Sequence, residues 1–289
     1  MLDMLLSQIV NGLVLGFLYV LIATGLSIIF GMLGIVNFAH GSFFAIGAYL
    51  ALTLAGYFGW WAAVLAPILV GLIGVVVEIA FIRRLYGKEP LLGLILTFAL
   101  ALFAEALLRL IFGGEAQPFS APGFLNGFVE YGPILITKYR IAVLVVTIVA
   151  LVAFWAFIEY TPFGRIIRAG SRDPEMVGLL GVNLPVVFSA VFGVGCLLAG
   201  LAGMLAGPLW TVQPAMGAGA IMPAFVIVTI GGLGSFEGAV VAGLMVGVIT
   251  AITIQFYPDW SGSAMYILMA VVLLLRPRGL FGERWERFE

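Results

Sequence analysis

What this sequence has least of is charge. Lys, Arg, Asp and Glu make up 9% of its 289 residues, against about a quarter in an ordinary soluble domain. Hydrophobic residues make up 63%, and the mean hydropathy is +1.22. That composition leaves too little polar surface for a water-soluble globule, so a lipid bilayer is the expected solvent. Cysteine is almost missing as well. Cys196 stands alone in an apolar run, which excludes an intrachain disulfide and says little about redox compartment. Histidine occurs once, as His40. A lone histidine makes no metal site, and no Ser/His/Asp, HExxH or repeated-carboxylate pattern supplies acid–base chemistry. An intramembrane enzyme is therefore a poor fit. Lysine is confined to Lys88 and Lys138, neither within G-x-x-x-x-G-K-[ST], so no phosphate-cradling loop of that form is present. A net charge of −1 gives no sign of nucleic-acid binding.

Long apolar runs are what the chain does have. A spanning helix needs about 20 mostly apolar residues. Runs cover 5–33, 41–55, 60–82, 90–112, 141–158, 184–206, 220–230, 238–256 and 264–275. Those at 41–55, 220–230 and 264–275 are too short to cross unaided, which predicts broken or re-entrant segments. The expected fold is all-α, a polytopic membrane bundle of about eight transmembrane helices with Gly-broken or re-entrant segments. It forms one domain over residues 1–289. The opening "MLDMLLSQIVNG" lacks the basic start of a cleaved signal peptide, so the first run is expected to stay as a membrane helix.

Most basic residues fall in three groups: Arg83, Arg84 and Lys88; Arg165, Arg168 and Arg172; Arg276, Arg278, Arg284 and Arg287. The positive-inside rule places all of these in the cytoplasm. Two spans separate the first group from the second, so the parity agrees. The tail 276–289 is then cytoplasmic, and the loop 113–137 is external. Small residues recur four apart at Ala199, Gly203 and Gly207 and at Ala239, Gly243 and Gly247. That spacing lets helix backbones approach closely, here within one chain.

Two Gly-rich breaks resemble each other. "IFGMLGIVNFAHG" (29–41) and "TIGGLGSFEGA" (229–239) share G-x-L-G followed by apolar and polar residues and another Gly. Unwound backbone survives in a membrane only beside a cavity or buried in protein, so paired breaks point to a transport path. Asn37, His40, Gly41, Gly231, Gly234 and Glu237 are its candidate lining. If the breaks meet, Asn37, His40 and Glu237 come together. His40 can alternatively cap a helix or bond a backbone carbonyl, and Asn37 can satisfy freed backbone groups. Ionisable residues within spans are candidates by default. Glu105 and Arg109 have the spacing of a helix ion pair, and Glu78 is expected to reach the cytoplasmic interface near Arg83 and Arg84.

A polar island interrupts the apolar pattern at "EYTPFGRIIRAGSRDPEMVGLLGVNLP" (159–185), where three arginines and three acids fall within 17 residues. Ser171 or Asp173 can cap a helix whose first residue is Pro174. Glu175 suits the first turn, and Gly181 suits the left-handed position that ends it. A helix of about two turns is unstable alone in water. It becomes reasonable docked in a groove of another protein, or lying on the headgroups.

The stretch "TPFGRIIRAGSRDPEMVGLLGVNL" resembles the cytoplasmic loop of the LivH-type permeases of branched-chain amino-acid ABC transporters. "GLSIIFGMLGIVNFAHGSFFAIGAYL", "VIVTIGGLGSFEGAVVAG" and "RPRGLFGE" are similar to further motifs of that family, in the same order. The resemblance implies that 159–185 is a coupling loop gripped by an ATPase subunit, through Arg165, Arg168, Arg172, Asp173, Glu175, Met176, Leu179, Leu180 and Gly181. It implies a second, different permease subunit, two ATPase subunits, a periplasmic or lipid-anchored binding protein, and a bacterial or archaeal cytoplasmic membrane. No cofactor is expected on this chain, with ATP used by the partners. Permeases of urea and short-chain amide importers are similar, and an ion-coupled secondary transporter is a further alternative.

Overall fold

The computed structural model describes residues 2–131 and 134–282. The helices are α1 (Leu2–Leu33), α2 (His40–Phe58), α3 (Ala62–Ala80), α4 (Pro90–Phe112), α5 (Lys138–Tyr160) and α6 (Pro162–Arg172). They continue with α7 (Pro174–Leu179), α8 (Leu184–Ala206), α9 (Met216–Gly231), α10 (Phe236–Phe256) and α11 (Ser261–Leu275). Eight of the described helical segments are long and apolar enough to cross a membrane, in agreement with the expected polytopic all-α bundle. Two corrections concern the short runs. α2 spans 19 residues because it continues through Gly56-Tyr57-Phe58, and the last span reaches 18 residues by including the turn at Pro258–Trp260. With that turn counted in, α9 at 16 residues is the one apolar segment that stays short among the described residues.

Local chemistry sets the boundaries. Pro opens α4, α6 and α7, where its missing N–H costs no hydrogen bond. Ser235 caps α10 by accepting from the Gly238 N–H at 3.0 Å. The 113–137 loop contains an antiparallel hairpin of β1 (Phe128–Tyr131) and β2 (Ile134–Thr137). No periodicity in the sequence announced it, because strands of four residues carry almost no pattern.

Small residues make the seams. α1 runs antiparallel to α10: a Cβ added at Gly12 would lie 2.6 Å from Val248 Cα, and one at Gly247 would lie 2.3 Å from Gly16 Cα. α8 packs on α3 through Gly74 against Cys196 and Gly200 against Val70, and it meets α2 at Gly203. Both four-residue stripes therefore pack within the chain, as expected. α4, α5 and α11 lie at the periphery and expose large apolar side chains such as Leu110, Val149 and Leu274.

The bundle has two unlike ends. One carries α6 and α7, the turn after α3, the end of α1, the 232–235 connection and the 276–282 segment, so the three basic groups share it as far as they are described. Arg284 and Arg287 lie outside the described residues. The other end carries the hairpin, the Gln117–Val212 bridge and the Gln8–Gln255 side-chain hydrogen bond.

Candidate functional site

At the basic end, α6 and α7 form a foot. Thr161 caps α6 by accepting from the Gly164 N–H at 3.0 Å. Gly164 lets α6 turn tightly under α5, since a Cβ there would sit 2.1 Å from the Ile158 carbonyl oxygen. Gly170 lies against Met32 at the end of α1, and Ile167 joins Met32, Val187 and Val191 in a small apolar cluster separate from the main core. Arg168 pairs with Glu159 of α5. Asp173, one of the two cap candidates, accepts from the Met176 N–H at 2.9 Å, whereas Ser171 lies inside α6. Gly181 follows α7 at φ +85°, a left-handed position that favours glycine.

The foot presents an apolar tip. Val177 faces inward and is buried, while Met176, Leu179 and Leu180 are 55%, 83% and 77% exposed. Arg165, Arg172, Asp173, Glu175 and Gly181 of the same segment are exposed as well. Exposed apolar side chains among charged neighbours in sequence form the kind of patch that a protein partner covers.

Beside the foot opens a cleft of about 1110 Å³ whose walls include Gly31, Glu159, Arg168, Gly234, Glu237 and Phe281. The two G-x-L-G breaks meet here: a Cβ on Gly31 would lie 3.2 Å from Gly234 Cα. They also behave alike. Gly34 ends α1 at φ +66°, and Gly232 and Gly234 follow α9 at +103° and +83°. Gly231 packs against Gly238. The backbone N–H groups of Leu280 and Phe281 donate to the Ile230 and Gly231 carbonyls at 2.8 and 3.0 Å, so the C-terminal segment caps α9.

The expected grouping of Asn37 and His40 with Glu237 does not form. Gly41 lies against Gly217, at the opposite end of α9 from Gly231. Sixteen residues of α9 place those ends about 22 Å apart. Glu237 is exposed in the cleft, whereas Asn37 and His40 are buried. His40 Nε2 lies 3.1 Å from the Ile22 carbonyl oxygen, the backbone-bonding role considered for it. The Asn37 amide has no hydrogen-bond partner among the described residues.

One buried polar cluster escaped sequence reasoning. Glu78 lies at the basic end beside Arg83, and its side chain is fully buried there, ringed by Arg83, Tyr86 and Ser189. The Glu78–Arg83 spacing was a visible signal, but Ser189 lies 111 residues away and gave none. The Glu78 hydrogen bond raises the Arg83 pKa further above its ordinary value. Burial first, and the bond to Glu78 second, push the Tyr86 phenol above its usual 10.0. Glu105 and Arg109 form the expected pair at 2.9 Å. Among the described residues no His, Cys, Asp and Glu cluster could hold a metal.

Eight described helical segments long and apolar enough to cross a bilayer, closed by glycine seams, mark a multi-pass membrane protein. The family described as "Branched-chain amino acid transport system / permease component" matches residues 8–275, and the chain belongs to it. The branched-chain amino acid permease LivH of Salmonella typhimurium is 31% identical, with 96% of this chain and 95% of LivH covered. The BraD permease of Pseudomonas aeruginosa is 33% identical at the same coverage. Among solved structures, PsaBC from Streptococcus pneumoniae in complex with Fab has a TM-score of 0.51 at 13% identity. The match covers 96% of this chain and 92% of that chain, and shows a shared fold alone.

Proposed function

We propose that this chain is the membrane-spanning subunit of an ATP-driven ABC importer that moves branched-chain amino acids inward by alternating access. The observation that carries the reading is the apolar tip of the foot. Met176 and Leu179 project from the short capped helix α7 and Leu180 follows it; α7 packs on α6 and α8, and α6 is in turn anchored to α1, α5 and α8. A helix this short is held by what it packs on, so a load on its tip passes into the bundle. The residues matching the family's coupling loop are the ones standing out at that tip.

On this reading the foot, the basic groups and the 276–289 tail face the cytoplasm of a bacterial or archaeal cell, and the hairpin faces outward. The motor is supplied in trans by two ATPase subunits, with a second permease and a substrate-binding protein completing the importer. This chain binds no cofactor of its own and acts without an ATPase site. The substrate follows from the relatives, whose names specify branched-chain amino acids. Gly31, Gly234 and Glu237 in the open cleft then lie at the inner mouth of the path.

The test is reconstitution into liposomes with the ATPase, sister-permease and binding-protein subunits. Leucine should accumulate only with ATP and all subunits present. Accumulation by this chain alone, driven by an ion gradient, contradicts the proposal.

A further inference from the structure

Among the described residues Glu78 is the one acidic side chain sealed entirely from solvent. Its carboxylate accepts from Arg83 Nε at 3.2 Å, Arg83 Nη2 at 3.1 Å, Tyr86 Oη at 2.7 Å and Ser189 Oγ at 2.5 Å. Ser189 Oγ in turn accepts from Arg83 Nη2. Arg83 and Tyr86 belong to the turn that follows α3. Ser189 belongs to α8, five residues after its start at Leu184. Its hydroxyl also lies 2.9 Å from the Pro185 carbonyl oxygen of its own helix; the shorter approach is to Glu78, where it is the donor that crosses from one helix to the other.

The position of this tie matters. α7 leads through residues 180–183 directly into α8. Flanking Ser189 on α8, Val187 and Val191 pack with Ile167 of the foot and Met32 of α1, and the Phe188 ring meets Tyr86 edge-on at 5.1 Å. Further along, α3 and α8 touch through Gly71, Gly74, Gly193 and Gly200. In that seam each glycine receives an apolar side chain of the other helix; such contacts carry no directionality, and packed helices can shear past each other by small steps. The carboxylate with its directional donors fixes the register of the two helices.

Stability alone gives a weak reason for such a group. A buried ion pair loses much of its Coulomb gain to desolvation, and well-packed apolar side chains often stabilise as well or better. We propose that Glu78 and Ser189 form a positioning link that carries movement of the foot from α8 into α3, so that both helices shift as one body. Without it, part of the displacement is lost as slip of α8 along α3. The link rests on the coupling role given to the foot above.

The test uses the complete importer in proteoliposomes, with ATP hydrolysis and leucine import measured on the same vesicles. Ser189→Ala cuts the cross-helix tie and leaves Arg83 and Tyr86 on Glu78. The ATP hydrolysed per leucine imported should rise roughly tenfold, the scale set by one hydrogen bond to a charged group. Glu78→Gln should raise the ratio too, and the double variant should be no worse than the poorer single, because both act on one link. The ratio does not depend on the number of assembled complexes, so a fall in yield leaves it readable. A wild-type ratio in Ser189→Ala and Glu78→Gln, even with lowered melting temperature, assigns the cluster to stability and overturns the link. Absence of ATP-driven import by the unmodified importer overturns the underlying function instead.

Discussion

Gly203 of α8 lies against Phe44 of α2 so closely that a Cβ added to it would sit 1.8 Å from the Phe44 carbonyl oxygen. The obstacle is backbone, which cannot rotate away as a side chain can. Gly203→Ala must therefore push α8 off α2, at a cost of about 1–3 kcal/mol or more for overpacking. Gly219 of α9 has nothing within 4 Å of an added Cβ, so Gly219→Ala should leave the protein unchanged or slightly firmer. Thermal unfolding in detergent should show a lowered midpoint for the first and none for the second. Equal midpoints for both variants contradict the close α2–α8 crossing.

The foot is testable at a single side chain. Leu179 is 83% exposed, so Leu179→Asp should leave folding and membrane insertion intact. A carboxylate placed where a partner's apolar groove must close is left desolvated and unpaired, which costs several kcal/mol. Co-purification of the ATPase subunits should fall by at least tenfold, and leucine uptake with it. Retained co-purification moves the docking surface elsewhere.

These two regions were unequally legible in the sequence. The stop of α7 at Gly181 and its start at Asp173-Pro174 could be read directly, because caps depend on side chains within three residues of the backbone they satisfy. α6 carries the same kind of start at Thr161-Pro162; what the sequence hides is its packing, because Phe163, Ile166 and Ile167 meet Met32, Val187 and Val191 from distant parts of the chain. The membrane spans followed from composition, but their lengths did not, since α2 continues through Gly56-Tyr57-Phe58. The two breaks were recognisable by their glycines, yet only the fold shows that Gly31 meets Gly234 while His40 turns toward Ile22.

Orientation can be read with the cysteine the protein already has. Cys196 is fully buried among apolar side chains, out of reach of a water-soluble maleimide. The native protein should therefore stay unlabelled, which makes added cysteines easy to see. Met176→Cys at the foot should react with a membrane-impermeant maleimide in inside-out vesicles and not in intact cells. Phe128→Cys in the hairpin, also exposed, should do the reverse. Labelling of Met176→Cys from outside intact cells inverts the topology and rules out the proposed contact with a cytoplasmic ATPase.

The Glu78 cluster makes a prediction about pH that follows from sign. Tyr86 has a folded pKa raised above its ordinary 10.0, by burial first and by its bond to Glu78 second. A raised pKa means that its contribution to stability is present in full below the unfolded value and is lost only as pH climbs through the folded one. Arg83 is raised in the same direction, so neither donor titrates between about pH 7 and pH 9. Tyr86→Phe removes one hydrogen bond to a charged group, at a cost of about 1.5–3 kcal/mol. The gap in unfolding free energy between wild type and Tyr86→Phe should stay constant across that interval. Arg83→Ala should cost more, because it strips the buried carboxylate of its counter-charge. The Arg83 side chain is itself 36% exposed, so solvent screens its share of the pair. Denaturant unfolding of purified protein at several pH values measures all three. A Tyr86→Phe gap that shrinks already between neutral pH and pH 9 means that the phenol is not held in its protonated, donating form.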